Sequence, residues 1–293
     1  MKRISLYIVF AIFLVSCGKD QAVEIPSYIY IDHIDLQTTT AQGSNSAEIL
    51  DAWVYMDDNP LGVFPLPARI PIQADGQHDF KIFAGIKADG ISDRRRRYIF
   101  FKPFELNNFN LTLGEIDTLN GTYQPLVTYY PSSDINIWNE DFTDPFIPFF
   151  PDPASDTTMG RTITPGEFFE DGASAVLDLA PDQTLFFCVT EENFNFPTGG
   201  SSVFLELNYK TNNALTIGVR AESPGNTLNI DNTVLNPTYD DNGNLVWKKA
   251  YIELTEIVSS YYTASAFEVY FKMTRQVTDP IAYIDNVKVI YGN

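Results

Sequence analysis

The feature that most constrains this chain is a hydrophobic period of two, repeated in short pieces with turn residues between them. Tyr28, Tyr30 and Ile34 interleave with Asp32 and Asp35, as in a half-buried strand. Ala52 to Met56 and the Val63-Phe64 pair flank Asp57-Asp58-Asn59-Pro60-Leu61-Gly62, which is a hairpin signal. His78 to Ile86 places Phe80, Ile82 and Ala84 on one strand face; Lys87 to Gly90 turns the chain and Tyr98 to Phe104 returns it. Asn110 to Ile116 adds one more alternating piece, with Leu111 and Leu113 on one side, and no amphipathic helix pattern occurs between Ser27 and Asn120. Further on, Ser202 to Tyr209, Leu215 to Glu222, Val246 to Leu254 and Ala266 to Met273 alternate again and are rich in β-branched and aromatic residues. Between the two sets, Gly121 to Ser133 carries Pro125 and Pro131 and no sustained period. The expectation is an all-β chain with one sandwich over 27–120, a linker over 121–133 and a second sandwich over 134–293.

The first residues obey a different logic. Lys2 and Arg3 precede an almost unbroken apolar run from Ile4 to Val15, and small Ser16 stands directly before Cys17. Basic, apolar and small-residue segments in that order make a secretory signal, too short to span a bilayer as a permanent helix. Leu14-Val15-Ser16-Cys17 resembles the lipobox of bacterial lipoproteins. The resemblance implies cleavage of residues 1–16, lipid on Cys17, and residues 17–26 as a tether. In that family Gly18 rather than Asp after the cysteine implies the outer membrane, and Lys19-Asp20 is similar to the surface-export signal of Bacteroidota lipoproteins. Past residue 17 no apolar run approaches the roughly 18 residues a span needs, so lipid would be the anchor. Without residues 1–16 the chain keeps 17 basic against 38 acidic side chains, a balance of −21. A field of that sign repels phosphate, which argues against nucleic acid and anionic lipid as partners of the body. With Cys17 lipidated, Cys188 stands alone between Phe187 and Val189, reads as a core residue, and leaves no internal disulfide.

The hairpin around Asp57 is similar to that of small PEGA-like surface domains, and the first half as a whole suggests an Ig-like or prealbumin-like sandwich. Trp138 to Phe142 and Tyr283 to Val289 together resemble the first and last strands of galactose-binding-like jelly rolls, the fold of many carbohydrate-binding modules. Trp247 to Leu254 looks like an internal strand of the same family. The resemblance implies a jelly-roll β-sandwich and a structural calcium held by an acid near each terminal strand, here Glu140 and Asp285.

No enzyme signature is present: H-E-x-x-H, G-x-S-x-G, C-x-x-C and a phosphate loop are all missing, and only His33 and His78 could act as neutral-pH bases. His33, two residues from Asp35, reads as half of a surface hydrogen bond. Arg94-Arg95-Arg96-Arg97 is either a contact for an acidic partner or a solvated hairpin tip balanced by Asp89 and Asp93; alternation sends Arg94 and Arg96 to one side, Arg95 and Arg97 to the other. Asp144 to Pro153 reads DPFIPFFPDP, whose prolines forbid a central strand. Phe146, Ile147, Phe149 and Phe150 are then either a lid on their own sandwich or a docking surface for another protein. Glycan binding needs exposed aromatic platforms, for which Tyr209, Tyr261 and Tyr262 are the candidates, while Trp138 and Trp247 read as core. The sum is a non-enzymatic, surface-exposed outer-membrane lipoprotein that binds or scaffolds an integral membrane partner. The alternative is a carbohydrate-binding lipoprotein that captures glycan for uptake.

Overall fold

The computed structural model describes residues 25–90, 93–170 and 172–293, so the signal segment, Cys17 and most of the tether lie outside the described residues. The described chain is all-β, in two stacked sandwiches. In the first, β3 (Asp51–Met56) pairs antiparallel with β4 (Asn59–Pro65) and with β6 (Gly76–Lys87), which also carries β7 (Arg95–Arg97) and β9 (Phe104–Leu111). Facing this sheet are two three-stranded pieces. In one, β1 (Ser27–Ile31) lies between β5 (Ala68–Ile72) and β10 (Ile116–Thr118). In the other, β11 (Leu126–Tyr129) lies between β2 (Asp35–Gln37) and β8 (Phe101–Lys102). The alternation read from sequence selects the core face: Ile29 and Ile31, Ile70 and Ile72, Val54, Phe80, Ile82 and Ala84 are all buried together.

One expectation is corrected here. Within the proposed linker, Leu126 to Tyr129 is a strand of the first sandwich, with Val127 and Tyr129 in its core. Pro125 and Pro131 bracket this strand rather than interrupt it. Four residues are too few to show a period, and its neighbours β2 and β8 are themselves only three and two residues long.

The second sandwich has the expected jelly-roll pairing of terminal strands. β12 (Ile135–Glu140) runs antiparallel to β22 (Ile281–Gly292), and β22 sits in the order β14 (Gly160–Thr162), β15 (Ser174–Asp178), β22, β17 (Val203–Thr211), β20 (Lys248–Glu253). The facing sheet runs β13 (Phe149–Pro151), β16 (Leu185–Thr190), β21 (Ala266–Thr274), β18 (Leu215–Ser223), β19 (Asn226–Leu235). A short helix α1 (Thr255–Ser260) follows β20 and buries Ile257 and Val258. Between the sheets pack Leu205, Leu207, Ile217, Val219, Ile252, Val269, Phe271, Ile284 and Val289. Cys188 is in this core, and burial pushes its thiol up to about 11.

Every residue of β17 is buried, although its sequence alternates. Val203, Leu205 and Leu207 face the sandwich interior, whereas Phe204, Glu206, Asn208 and Lys210 lie on the opposite face, which the first sandwich and the 166–170 segment cover. Phe204, Tyr251 and Ile290 of the second sandwich belong to the core of the first. The two are further joined by a bridge between Ala88 and Tyr251.

Candidate functional site

The covered face of the β14 to β20 sheet holds the densest chemistry in the molecule. Glu206 is fully buried and accepts hydrogen bonds from the hydroxyls of Tyr98 (2.6 Å) and Tyr129 (2.9 Å), both from the first sandwich. Lys249, on the neighbouring strand β20, brings its ammonium to 3.4 Å from Glu206. Lys288, on β22, donates to the Ser44 carbonyl at 2.5 Å and stands over the Tyr129 ring at 4.9 Å. Burial drives the tyrosine hydroxyls and the two ammonium groups toward their neutral forms. The hydroxyls of Tyr98, Tyr129 and Tyr251 are raised well above the usual tyrosine range, first by burial and then by the Glu206 charge. Burial depresses both ammonium groups against the pull of Glu206, Lys288 to about 8. None of these residues stands out in the sequence. The available signal was that Phe204, Tyr251 and Ile290 occupy strand positions that alternation assigns to solvent, which marks a face something else must cover.

The arginine run closes one end of this seam. Arg94 pairs with the buried Asp89, and Arg96 reaches Glu253 of the second sandwich at 2.7 Å. Arg95 pairs with the buried Asp51 and Arg97 lies 4.5 Å over the Phe83 ring. Alternation therefore holds, and so in part does the hairpin-tip reading, since Arg94 is balanced by Asp89 and Arg95 to Arg97 are exposed. The run is an intramolecular clamp whose cations are taken by acids or a ring of the same chain.

Beside the clamp, where β20 forms the sheet edge, a cleft of about 430 Å³ opens between the sandwiches. Glu48, Lys87 and Asp89 from the first meet Tyr209, Lys248 and Lys249 from the second. A smaller cavity of about 340 Å³ shares Asp89 with it and is lined by Arg94, Arg96, Glu253 and Ser259.

The other candidates fall as follows. The proline-rich segment is split. Phe149 is 5% exposed and pairs in register with Thr190 at the sheet edge, and Ile147 packs on the core, while Phe146 and Phe150 are 60% and 47% exposed. Phe149 is thus corrected from a partner contact to a core residue, because period-two pairing with β16 turns it inward and its neighbour Phe150 outward. Tyr209, taken as a platform, is only 7% exposed, since it occupies an inward position of β17. Tyr261 packs partly on the core, and Tyr262 is 72% exposed. Trp138 is partly buried against Phe149 and Phe194, and Trp247 meets Phe169 edge to face and lies tilted against Tyr283. Glu140 and Asp285 lie on adjacent strands, Glu140 opposite Val287. Glu140 accepts the Phe142 N–H at 2.6 Å; Asp285 accepts the Ser174 hydroxyl at 2.5 Å and the Asn286 N–H at 2.7 Å. Among the described residues no group of three or more His, Cys, Asp or Glu converges in a way that could hold a metal ion. His33 contacts Asp32 at 2.9 Å and Asp35 at 3.4 Å, and His78 contacts Asp57 at 2.7 Å. These hydrogen bonds raise both histidines above their ordinary value.

No family model and no curated protein sequence matches this chain. Among solved structures, it is similar to an adhesin domain of Lys-gingipain from Porphyromonas gingivalis, at 13% identity and a TM-score of 0.37 over 53% of this chain and 97% of that one. It is also similar to a family 11 carbohydrate-binding module from Clostridium thermocellum in complex with a mixed-linked tetrasaccharide, at 10% identity and a TM-score of 0.34 over 53% and 95%. A xylan-binding domain from Paenibacillus barcinonensis gives 11% identity and a TM-score of 0.37 over 53% and 94%.

Proposed function

We propose that this chain is a non-catalytic binding and scaffolding protein, held at the outer membrane by lipid on Cys17, that docks a membrane protein through its second sandwich. The observation that carries this reading is where the free aromatic surface lies. The outer face of the β14 to β20 sheet is covered by the first sandwich, and on the outer face of the facing sheet Phe187, Val189 and Tyr270 are buried. The exposed aromatics of the second sandwich lie instead in its loops and at its β13 edge: Phe146, Phe150, Tyr239 and Tyr262. A glycan platform requires a row of exposed rings on a sheet face, whereas isolated aromatic anchors at an edge suit a protein partner. Both histidines are engaged by exposed aspartates, which supports a role without catalysis.

The test is affinity purification from detergent-solubilised membranes with the parent chain and a Phe146→Ala/Phe150→Ala variant. The expected result is a stoichiometric membrane protein with the parent and its loss with the variant, whose thermal unfolding is unchanged. Recovery of no partner, or equal recovery by both, overturns the reading. Cys17→Ala should yield a folded protein released from the membrane and without function; function retained in that soluble form would refute the role of the anchor.

A further inference from the structure

We infer that the outer face of β10, β1 and β5 in the first sandwich lies on a zwitterionic lipid bilayer, with Ile25, Leu113 and Ile116 as its insertion points; the inference rests on the reading of Cys17 as the lipidated residue. Ile25, directly before β1, is 62% exposed, and Leu113 and Ile116 are each 48% exposed. The backbone brings them together. The Gly114 N–H donates to the Pro26 carbonyl at 3.2 Å, the Tyr28 N–H donates to the Glu115 carbonyl at 2.9 Å, and a Cβ on Gly114 would stand 3.5 Å from the Ile25 side chain. Aliphatic side chains scattered singly over a surface need no explanation, whereas three gathered where β1 begins mark a contact.

The rest of the face suits the boundary between membrane and water. Parallel pairing of β1 with β10 and antiparallel pairing with β5 set Ile116, Tyr28 and Pro71 in one row. Tyr28 and Tyr30 are on the outer side, since Ile29 and Ile31 fill the core. Exposed Arg69, opposite Tyr30, lies 4.0 Å over the Tyr28 ring. Aliphatic tips, tyrosines with a polar end and an arginine on a long apolar stem are the side chains that partition to that boundary. Local charge selects the headgroup. Arg69 can meet a lipid phosphate, while exposed Glu115 and Asp32 beside the Tyr30 hydroxyl disfavour a surface of net negative charge. The occupant follows from the length of chain before the face. Cys17 precedes Ile25 by eight residues, a reach of at most about 28 Å, so lipid on Cys17 keeps this end of the body at the bilayer. A patch too small to bind from solution is effective when so tethered, because its contact is then intramolecular. The lipid attaches the molecule, and the face sets its orientation.

The experiment attaches a fluorophore, one position at a time, to Pro71→Cys, Leu113→Cys and Ile116→Cys in the full lipidated chain, with Val63→Cys and Tyr262→Cys as exposed reporters elsewhere; Cys188 is fully buried and stays unlabelled. Each protein is placed on phosphatidylcholine–phosphatidylethanolamine vesicles that carry quencher-labelled acyl chains. Quenching at positions 71, 113 and 116 at least threefold above that at 63 and 262 supports the face. Adding Leu113→Asp/Ile116→Asp to the Pro71→Cys chain should lower its quenching at least threefold while the protein still floats with the vesicles. Equal quenching at every position, or none on the face, overturns the inference. So does unchanged quenching in the aspartate variant, which would mean that the tether alone holds the face near. Failure of the parent chain to float overturns the anchor and this inference with it, whereas flotation without quenching on the face overturns the orientation alone.

Discussion

At the scale of the residue, the seam between the sandwiches turns on Glu206. Its carboxylate holds two tyrosine hydroxyls and is the acid that offsets Lys249 and Lys288 in a water-excluded layer. Removing one member of a buried ion pair strands the other charge, at about 3–5 kcal/mol. Glu206→Gln should destabilise the chain by that order in denaturant unfolding, and adding Lys249→Met should recover part of the loss. A cost under about 1 kcal/mol would show that the ammonium groups are solvated. Asp285 supplies a pH test. Burial pushes its carboxyl up from 3.8 to about 6, against the hydrogen bonds from Ser174 and Asn286 that pull it down. The folded chain then holds this proton more tightly than the unfolded chain does, so its contribution is complete below pH 3.8 and disappears as pH rises through 6. Asp285→Asn should therefore flatten the fall in stability between pH 4 and 6, a difference on the order of 2–3 kcal/mol by pH 7. An unchanged pH profile would place the carboxylate in solvent.

At the scale of the element, β13 shows how one short strand can serve core and surface together. Proline at both ends confines it to the sheet edge, where three residues pair with β16. The alternation that buries Phe149 exposes Phe150, and Phe146 lies in the approach to the strand. Phe149→Ala should cost about 3–5 kcal/mol, the usual range for a buried aromatic. Phe146→Ala and Phe150→Ala should each stay within about 0.5 kcal/mol of the parent, as surface changes do. Chemical denaturation separates the cases, and equal costs at all three positions would mean that the segment is buried as a lid. The segment was half legible in the sequence. Its prolines excluded a central strand and its phenylalanines excluded an ordinary loop, but which rings turned inward depended on the register against β16.

At the scale of the whole molecule, two sandwiches share part of one core. Phe204, Tyr251 and Ile290 fill the first sandwich from the second, and the pairing of Arg96 with Glu253 ties the edges. The full chain should unfold in a single calorimetric transition. Residues 134–293 alone should be poorly soluble, because their sheet would present those apolar side chains among buried charges. Two well-separated transitions, the second matched by a soluble isolated half, would contradict this.

Several levels of this architecture were open to reading from the chain alone. The pairing of the terminal strands of the second sandwich was expected from a family resemblance. Strand periodicity identified the all-β class, the inward face of β6 through Phe80, Ile82 and Ala84, and the two-sided distribution of Arg94 to Arg97. These are local consequences of alternation, because a side chain two residues away must share a face. The tertiary structure decided what lies over each face. Glu206, Lys249 and Lys288 occupy positions that alternation sends to solvent, and they are buried because another sandwich lands there. Tyr209 faces inward for the reason Leu207 does, and β11 is a strand because β2 and β8 flank it. Burial of an outward face depends on contacts across more than a hundred residues of chain, and no local pattern encodes them.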